Sequence, residues 1–265
     1  MSHEVLDLDA ARHSPHVARK RRTRIREILG AALDIAADEG RDALTLKRLA
    51  ERLGLTTTAL YRYFPSKDAL VAELQRAVIH ALARSTRECV DAAEADALAK
   101  GYSDDERMLL GVVVSAFAFE RFAHRAPVEF GILSMNLSAP EYSLPEREAA
   151  QVFEAAWSAL TELAERLRLA QEGGVLAAGD ASGRAVGLWA GLQGVAQTRK
   201  LARSASDRID STRISHDLIQ ALLVGWGATP ALASRMIEAT ADEGFAEAST
   251  STHEYLENLD DTAGP

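Results

Sequence analysis

The sequence predicts an all-α protein: a small basic module at the amino-terminal end, joined by a long helix to a larger acidic body. Three observations predict it. Alanine and leucine dominate, and β-branched runs are scarce outside Val112-Val113-Val114, a bias of helices rather than strands. Apolar residues recur at spacings of three and four in segment after segment, the period of helices with one buried face. Charge is divided by region: residues 19–87 hold 15 Lys+Arg against 8 Asp+Glu, or +7, and residues 88–265 hold 14 against 28, or −14. The first 18 residues contribute −2 to the total of −9. A basic module on an acidic body points to polyanion binding at one end, which the total charge alone would hide.

At 265 residues and 47% hydrophobic content, neither part is starved of core. Cys89 is the only cysteine, which excludes an internal disulfide and suits a reducing compartment. No apolar run approaches the roughly 20 residues that cross a bilayer, and the first residues are acidic and polar rather than those of a secretory signal. The expectation is a cytoplasmic protein without membrane contact.

Residues 1–20 read as a flexible basic arm, since Ser14-Pro15 discourages a helix there. Arg19, Lys20, Arg21, Arg22, Arg24 and Arg26 form a basic run that merges into the first helix, expected from about Arg22 to Asp38 with Ile25, Ile28, Leu29, Ala32, Leu33 and Ile35 on its buried face. Gly40 ends it, and Leu44 packs back onto it. Leu46, Leu49, Ala50 and Leu53 give the next helix its apolar face, with Thr45 as N-cap and Gly54 as the left-handed stop. Thr56 or Thr57 then caps a second short helix carrying Leu60, Tyr61, Arg62, Tyr63 and Phe64, which Pro65 ends. Ser66 caps the fourth helix, with Asp68 in its first turn, and the apolar stripe carries that helix to about Val90. Helix, turn, helix is the geometry that sets a second helix into the DNA major groove. This module is expected over residues 21–82.

The body is expected over 83–243. Asp104 or Asp105 starts a helix apolar nearly all round from Met108 to about Ala123, so it is either the centre of a bundle or one wall of a cavity. Pro127 opens a shorter helix ending near Asn136. A long amphipathic helix follows from about Pro145 to Gln171. Asp180 or Ser182 starts a helix with Gly183, Gly187, Gly191 and Gly194 along one side, where glycine's cost suggests close approach to a neighbour. The last helical region, His216 to about Asp242, is interrupted at Gly225-Trp226-Gly227 and Pro230. Residues 244–265, rich in Ser, Thr and acids, read as a disordered tail.

The run LYRYFPSKDAL, with ALDIAADEG at 32–40 and TLKRLAERLGL at 45–55, resembles the TetR family of bacterial transcriptional regulators. The resemblance covers about the first third of the chain, and the rest shares only an all-helical character. GLWAGLQGVA also resembles a Trp…His-Gly segment of some members, with Gln193 in the place of the histidine. The resemblance puts Thr57, Thr58, Ala59, Arg62 and Tyr63 on the groove-facing side of the recognition helix. Arg62 is the candidate reader, because a guanidinium pairs bidentately with guanine O6 and N7. Thr45, Tyr61, Tyr63 and Lys67 are the candidates for phosphates. Arg21 and Arg22 in the basic run are expected at phosphates or a neighbouring minor groove.

The resemblance further implies a ligand-responsive transcriptional regulator, most often a repressor, with an inducer cavity in the body. Phe117, Phe122, Phe130, Met135, Phe153, Trp157, Trp189 and Gln193, with Val113, are the candidate lining of a largely apolar pocket. The implied partners are double-stranded DNA, a small-molecule effector and a second copy, paired through helices near 182–203 and 214–242. Two other classes compete. An enzyme finds no support in motifs: G-x-x-x-x-G-K, G-x-G-x-x-G, H-E-x-x-H and G-x-S-x-G are all missing from the sequence. Glu120 and His124 read as a surface pair one turn apart, and no metal, cofactor or catalytic residue is expected. An architectural DNA binder with no ligand is the second alternative, and the large apolar body stands against it.

Overall fold

The computed structural model describes residues 15–135, 144–202, 209–242 and 251–260. All described regular structure is helical. The amino-terminal module comprises α1 (Pro15–Asp38), a short 3-10 turn (Arg41–Ala43), α2 (Leu46–Leu53), α3 (Thr57–Tyr61) and the first part of α4 (Lys67–Ala99). Its core joins Ile28 and Ile35 of α1 to Leu44, Leu49, Leu60, Phe64, Leu70 and Leu74. The body comprises the rest of α4 with α5 (Asp104–Arg125), α6 (Pro127–Leu133), α7 (Glu146–Glu172), α8 (Ala181–Ala202), α9 (Ser211–Gly225) and α10 (Pro230–Asp242). A last helix, α11 (Thr252–Glu257), follows.

α5 occupies the centre of the body. Leu109, Val113 and Phe117 are all buried in it, and it touches α4, α7, α8, α9 and α10. Its start is fixed by a reciprocal cap: the Ser103 hydroxyl accepts from the Glu106 N–H, and the Glu106 carboxylate accepts from the Ser103 N–H at 2.6 Å. The bond from the Ser103 N–H, above all, holds the Glu106 carboxyl below the usual carboxylate range. The connection from α9 to α10 passes through Gly227 at φ 109°, where a Cβ would lie 2.8 Å from the Ala177 backbone nitrogen. Only glycine lets this turn lie against the loop before α8, where the Ala177 N–H donates to the Trp226 carbonyl at 2.7 Å.

Three expectations change, and a fourth, close approach along the glycines of α8, holds at one position. α1 starts at Pro15 rather than Arg22, because proline is welcome in the first turn of a helix, where its missing N–H would have had no partner. The part of the arm from residue 15 onward is therefore helical, and residues 1–14 lie outside the described residues. α4 runs on to Ala99, nine residues past Val90, since Ala93 and Ala97 continue its buried stripe. The glycines of α8 make a close contact within the chain at Gly191, where a Cβ would meet Leu218 of α9 at 2.8 Å, whereas Gly187 and Gly194 face open space. The tail is not disordered at 252–260: α11 buries Leu256 in the core of the amino-terminal module, contacts that its composition does not reveal. Residues 243–250, 261–265 and the expected helix end at Asn136 lie outside the described residues.

Candidate nucleic-acid interface and interior cavity

The helix-turn-helix is built from local signals, each satisfied. The Thr45 hydroxyl oxygen accepts from the Arg48 N–H at 3.1 Å and caps α2. Leu46, Leu49 and Ala50 pin α2 to α1. Gly54, at φ 63° and ψ 31°, closes α2, and the following Leu55 N–H donates to the Ala50 carbonyl at 2.9 Å. Thr56, not Thr57, caps α3 by accepting from the Ala59 N–H at 3.2 Å. The Ser66 hydroxyl accepts from the Ala69 N–H at 3.0 Å and opens α4. Between two caps and two turns, the direction of α3 is set before any ligand arrives.

Within α3 only Leu60 is buried. Thr58, Tyr61 and Arg62 are exposed, and Thr57, Ala59 and Tyr63 are half-buried. Lys67 is exposed at the first position of α4, and Arg21 and Arg22 are exposed on α1. A cation at a helix N-terminus opposes the helix dipole, so Lys67 is poorly explained by folding alone. Thr45 keeps its hydroxyl proton available, because its cap uses the oxygen as acceptor.

The cations of this region separate into two groups. Arg48 forks onto Glu39, with Nη2 to Oε1 at 2.7 Å, and Arg52 pairs with Asp38 at 3.0 Å and Asp34 at 3.7 Å. The hydrogen bond from Arg48 holds the Glu39 carboxyl below its usual range. Among the described residues, Arg62, Lys67, Arg21 and Arg22 have no carboxylate partner. The tied arginines fasten α2 to α1, and the untied ones are available to an outside anion.

A cavity of about 130 Å³, partly open to solvent, lies among α4, α5, α7 and α8. Ile79 and Leu82 of α4, Phe119 of α5, Leu160 and Leu163 of α7 and Trp189 of α8 form its apolar wall. Its charged lining is Arg87, Glu162 and Arg166. Arg87 meets Glu162 at 3.1 Å, and Arg166 meets Glu94, outside the lining, at 2.9 Å. Burial pushes the Glu162 carboxyl up, against the pull of Arg87 and Arg166.

Of the residues expected to line a pocket, Trp189 alone does so. Val113, Phe117 and Phe122 are core, Phe117 stacking on His216 at 4.7 Å. Phe130 and Met135 are half-buried against the amino-terminal core. Phe153 and Trp157 stack on each other at 5.8 Å and are 60% and 42% exposed. Gln193 is buried, its Nε2 donating to the Ser134 hydroxyl at 2.8 Å while its Oε1 has no partner. The lining that sequence reasoning missed includes Ala116, Ala156 and Ala159. A void forms where side chains are small, so large aromatics at helical spacing were the wrong signal for it.

The family model described as "Bacterial regulatory proteins, tetR family" matches residues 28–74. Residues 28–74 match the TetR family, and the rest of the chain lies outside the match. Over 52 residues, 20% of this chain, it is 44% identical to the class A tetracycline repressor protein from transposon 1721 of Escherichia coli. That stretch is 24% of the relative, so the chain spans about a quarter of the length of the curated relatives it matches. Likeness of fold reaches further. A protein of unknown function from Rhodococcus sp. RHA1 superposes over 76% of this chain and 95% of its own, with a TM-score of 0.54 at 21% identity. FadR from Bacillus subtilis, solved in complex with stearoyl-CoA, does so over 75% and 97%, with a TM-score of 0.52 at 15% identity.

The TetR match runs from the middle of α1 to the second turn of α4. It takes in Thr45, the whole of α3 and Lys67 and stops five residues short of Ile79, where the cavity wall begins. Arg21 and Arg22 lie just outside it. Among the described residues, no helix is long and apolar enough to cross a membrane.

Proposed function

We propose that this chain is a ligand-responsive transcriptional regulator, a repressor that binds an inverted-repeat operator as a homodimer and is released by a small, largely apolar molecule. The observation that carries the reading is the pairing of two features on one helix. α4 opens with the untied Lys67 beside the recognition helix, and 12 residues later it forms the wall of the cavity. Arg62 reads one base pair; Thr57, Thr58, Ala59 and Tyr63 face the groove with it; Thr45, Tyr61, Lys67, Arg21 and Arg22 hold backbone phosphates. Two copies pair through α8 and the helices of 214–242, which sets two recognition helices about 34–36 Å apart or somewhat farther on bent DNA. A ligand in the cavity favours a spacing that no longer fits, and its affinity and that of DNA are then coupled reciprocally.

The charged lining refines the effector. Arg87 and Arg166 are already paired with Glu162 and Glu94, so the cavity suits an apolar body, and an acidic group on it would take the place of a carboxylate at one of these arginines. The test is Ala156→Phe, which fills the cavity from α7 without touching α3. Selection from a random duplex pool should return an inverted repeat for both parent and variant. Medium-chain alkyl carboxylates should release the parent from that duplex and leave the variant bound. Release by the matching alcohols at equal concentration would remove the acidic-group refinement alone. A parent that no ligand of either kind displaces, with an undivided operator, would favour an architectural DNA binder instead.

A further inference from the structure

Residues 251–260 fold back onto the amino-terminal module, although the chain reaches them only after the whole body. Leu256 is 4% exposed and sits in the module's own core. Tyr255 stacks with His80 of α4 at 6.3 Å between ring centroids. His253 Nε2 lies 3.3 Å from Asp34 Oδ1 on α1, and its imidazole rests over Gly30. Arg26 of α1 points a nitrogen at the Leu256 and Glu257 carbonyls, both at 3.5 Å, the negative end of the short helix. Glu254 acts electrostatically on Arg84 of α4. α11 therefore bridges α1 and α4 on the element that would carry DNA.

The sequence makes this contact costly for nucleic acid. Residues 251–265 contain Glu254, Glu257, Asp260 and Asp261 and no Lys or Arg. Glu254 and Glu257 are exposed on the docked helix. Arg26 closes the basic run that begins at Arg19, so α11 engages one of that run's cations, and its Glu254 acts on Arg84 of α4. Asp34, which meets His253, also pairs with Arg52 of α2, so the contact extends to the first helix of the helix-turn-helix.

We propose that the α1–α4 groove is the docking surface for the chain's own carboxyl-terminal helix, and that docking restrains the module's attraction for DNA. The restraint is electrostatic and acts on every duplex, so it is separate from effector binding in the cavity. Undocking withdraws the exposed Glu254 and Glu257 from the α1–α4 face. One added phosphate contact steepens the dependence of log affinity on log salt by about 0.9.

The test uses the full chain, a random-sequence duplex read by fluorescence anisotropy over a salt series, and amide exchange at residues 28–34. Leu256→Ser should undock α11, so exchange at 28–34 quickens, the duplex binds several-fold tighter at low salt, and the salt slope steepens. Glu254→Gln with Glu257→Gln should leave exchange unchanged and still tighten the duplex. Unchanged exchange in Leu256→Ser would show that the helix does not dock and overturn the proposal. Faster exchange with equal or weaker duplex binding would overturn the restraint. If Leu256→Ser melts the whole module, the double glutamine variant decides, and an affinity equal to the parent's is then the overturning result.

Discussion

Replacing Leu60 by alanine should detach the recognition helix while leaving the rest of the chain folded. α3 has five residues, far fewer than the roughly 12–15 at which an isolated helix becomes even marginal in water. Its position rests on Leu60, which is 0% exposed, and on Phe64 one turn later. Leu→Ala in a core costs about 2–5 kcal/mol, less where neighbours can settle into the gap. Leu53, Leu55 and Tyr63 are only partly buried around this core and can settle, so about 2–3 kcal/mol is expected. For a module of this size each kcal/mol lowers Tm by about 4–8 °C, giving a fall of about 8–24 °C. Amide exchange at residues 57–63 should quicken most, and affinity for every duplex should fall. Trp157, Trp189 and Trp226 all lie in the body, so tryptophan fluorescence should report a native body at temperatures where α3 is already loose. Arg62→Ala is the companion measurement: stability within about 0.5 kcal/mol of the parent, with about 1–3 kcal/mol lost on the preferred duplex alone. Unchanged exchange at 57–63 in Leu60→Ala, with duplex affinity kept, would refute the claim that one buried leucine holds the reading helix in place.

Two further outcomes are expected. Lys67→Ala should weaken binding to preferred and scrambled duplexes alike and flatten the salt slope by about 0.9; its Tm should hold or rise slightly, because a cation leaves the positive end of α4. Glu39 is held below the usual carboxylate range by the Arg48 fork, so its contribution to stability is present above that range and lost as pH falls through the lowered value. Urea melts of parent and Glu39→Gln should therefore differ at neutral pH, modestly because the pair is exposed, and converge in acid.

The amino-terminal module was legible because its determinants are local. Thr45, Gly54, Thr56 and Ser66 act within four residues of themselves, and the apolar spacing of α2 needs no distant partner to be recognised. The start of α1 was misread because a proline that forbids a helix interior is equally at home in a first turn, and nothing nearby distinguishes the two. α4 was cut short at Val90 because DAAEADALA buries only alanines, which give a faint stripe. α11 could not be read at all: Tyr255 and Leu256 become core only against α1 and α4, more than 170 positions earlier. The cavity failed for a different reason. Tryptophan and phenylalanine mark where burial is needed, whereas Ala116, Ala156 and Ala159 create space through what they lack.

The two cores of the molecule share α4: Val78 is its last buried residue in the amino-terminal core, Ile79 lines the cavity, Leu82 packs against both cores, and Cys89 opens the body core. From Ile79 back to Lys67 is 12 residues, or about 18 Å at a rise of 1.5 Å per residue. A tilt of about 5° pivoting at Ile79 would therefore carry Lys67 some 1.5 Å sideways over that 18 Å arm, enough to break a hydrogen bond of ordinary length. Under the proposed ligand response, α4 acts as a stiff pointer with its bearing at the cavity wall. Its gain is fixed by residue count, and because Leu70, Leu74 and Val78 on that arm pack in the amino-terminal core, a tilt carries the whole module with Lys67.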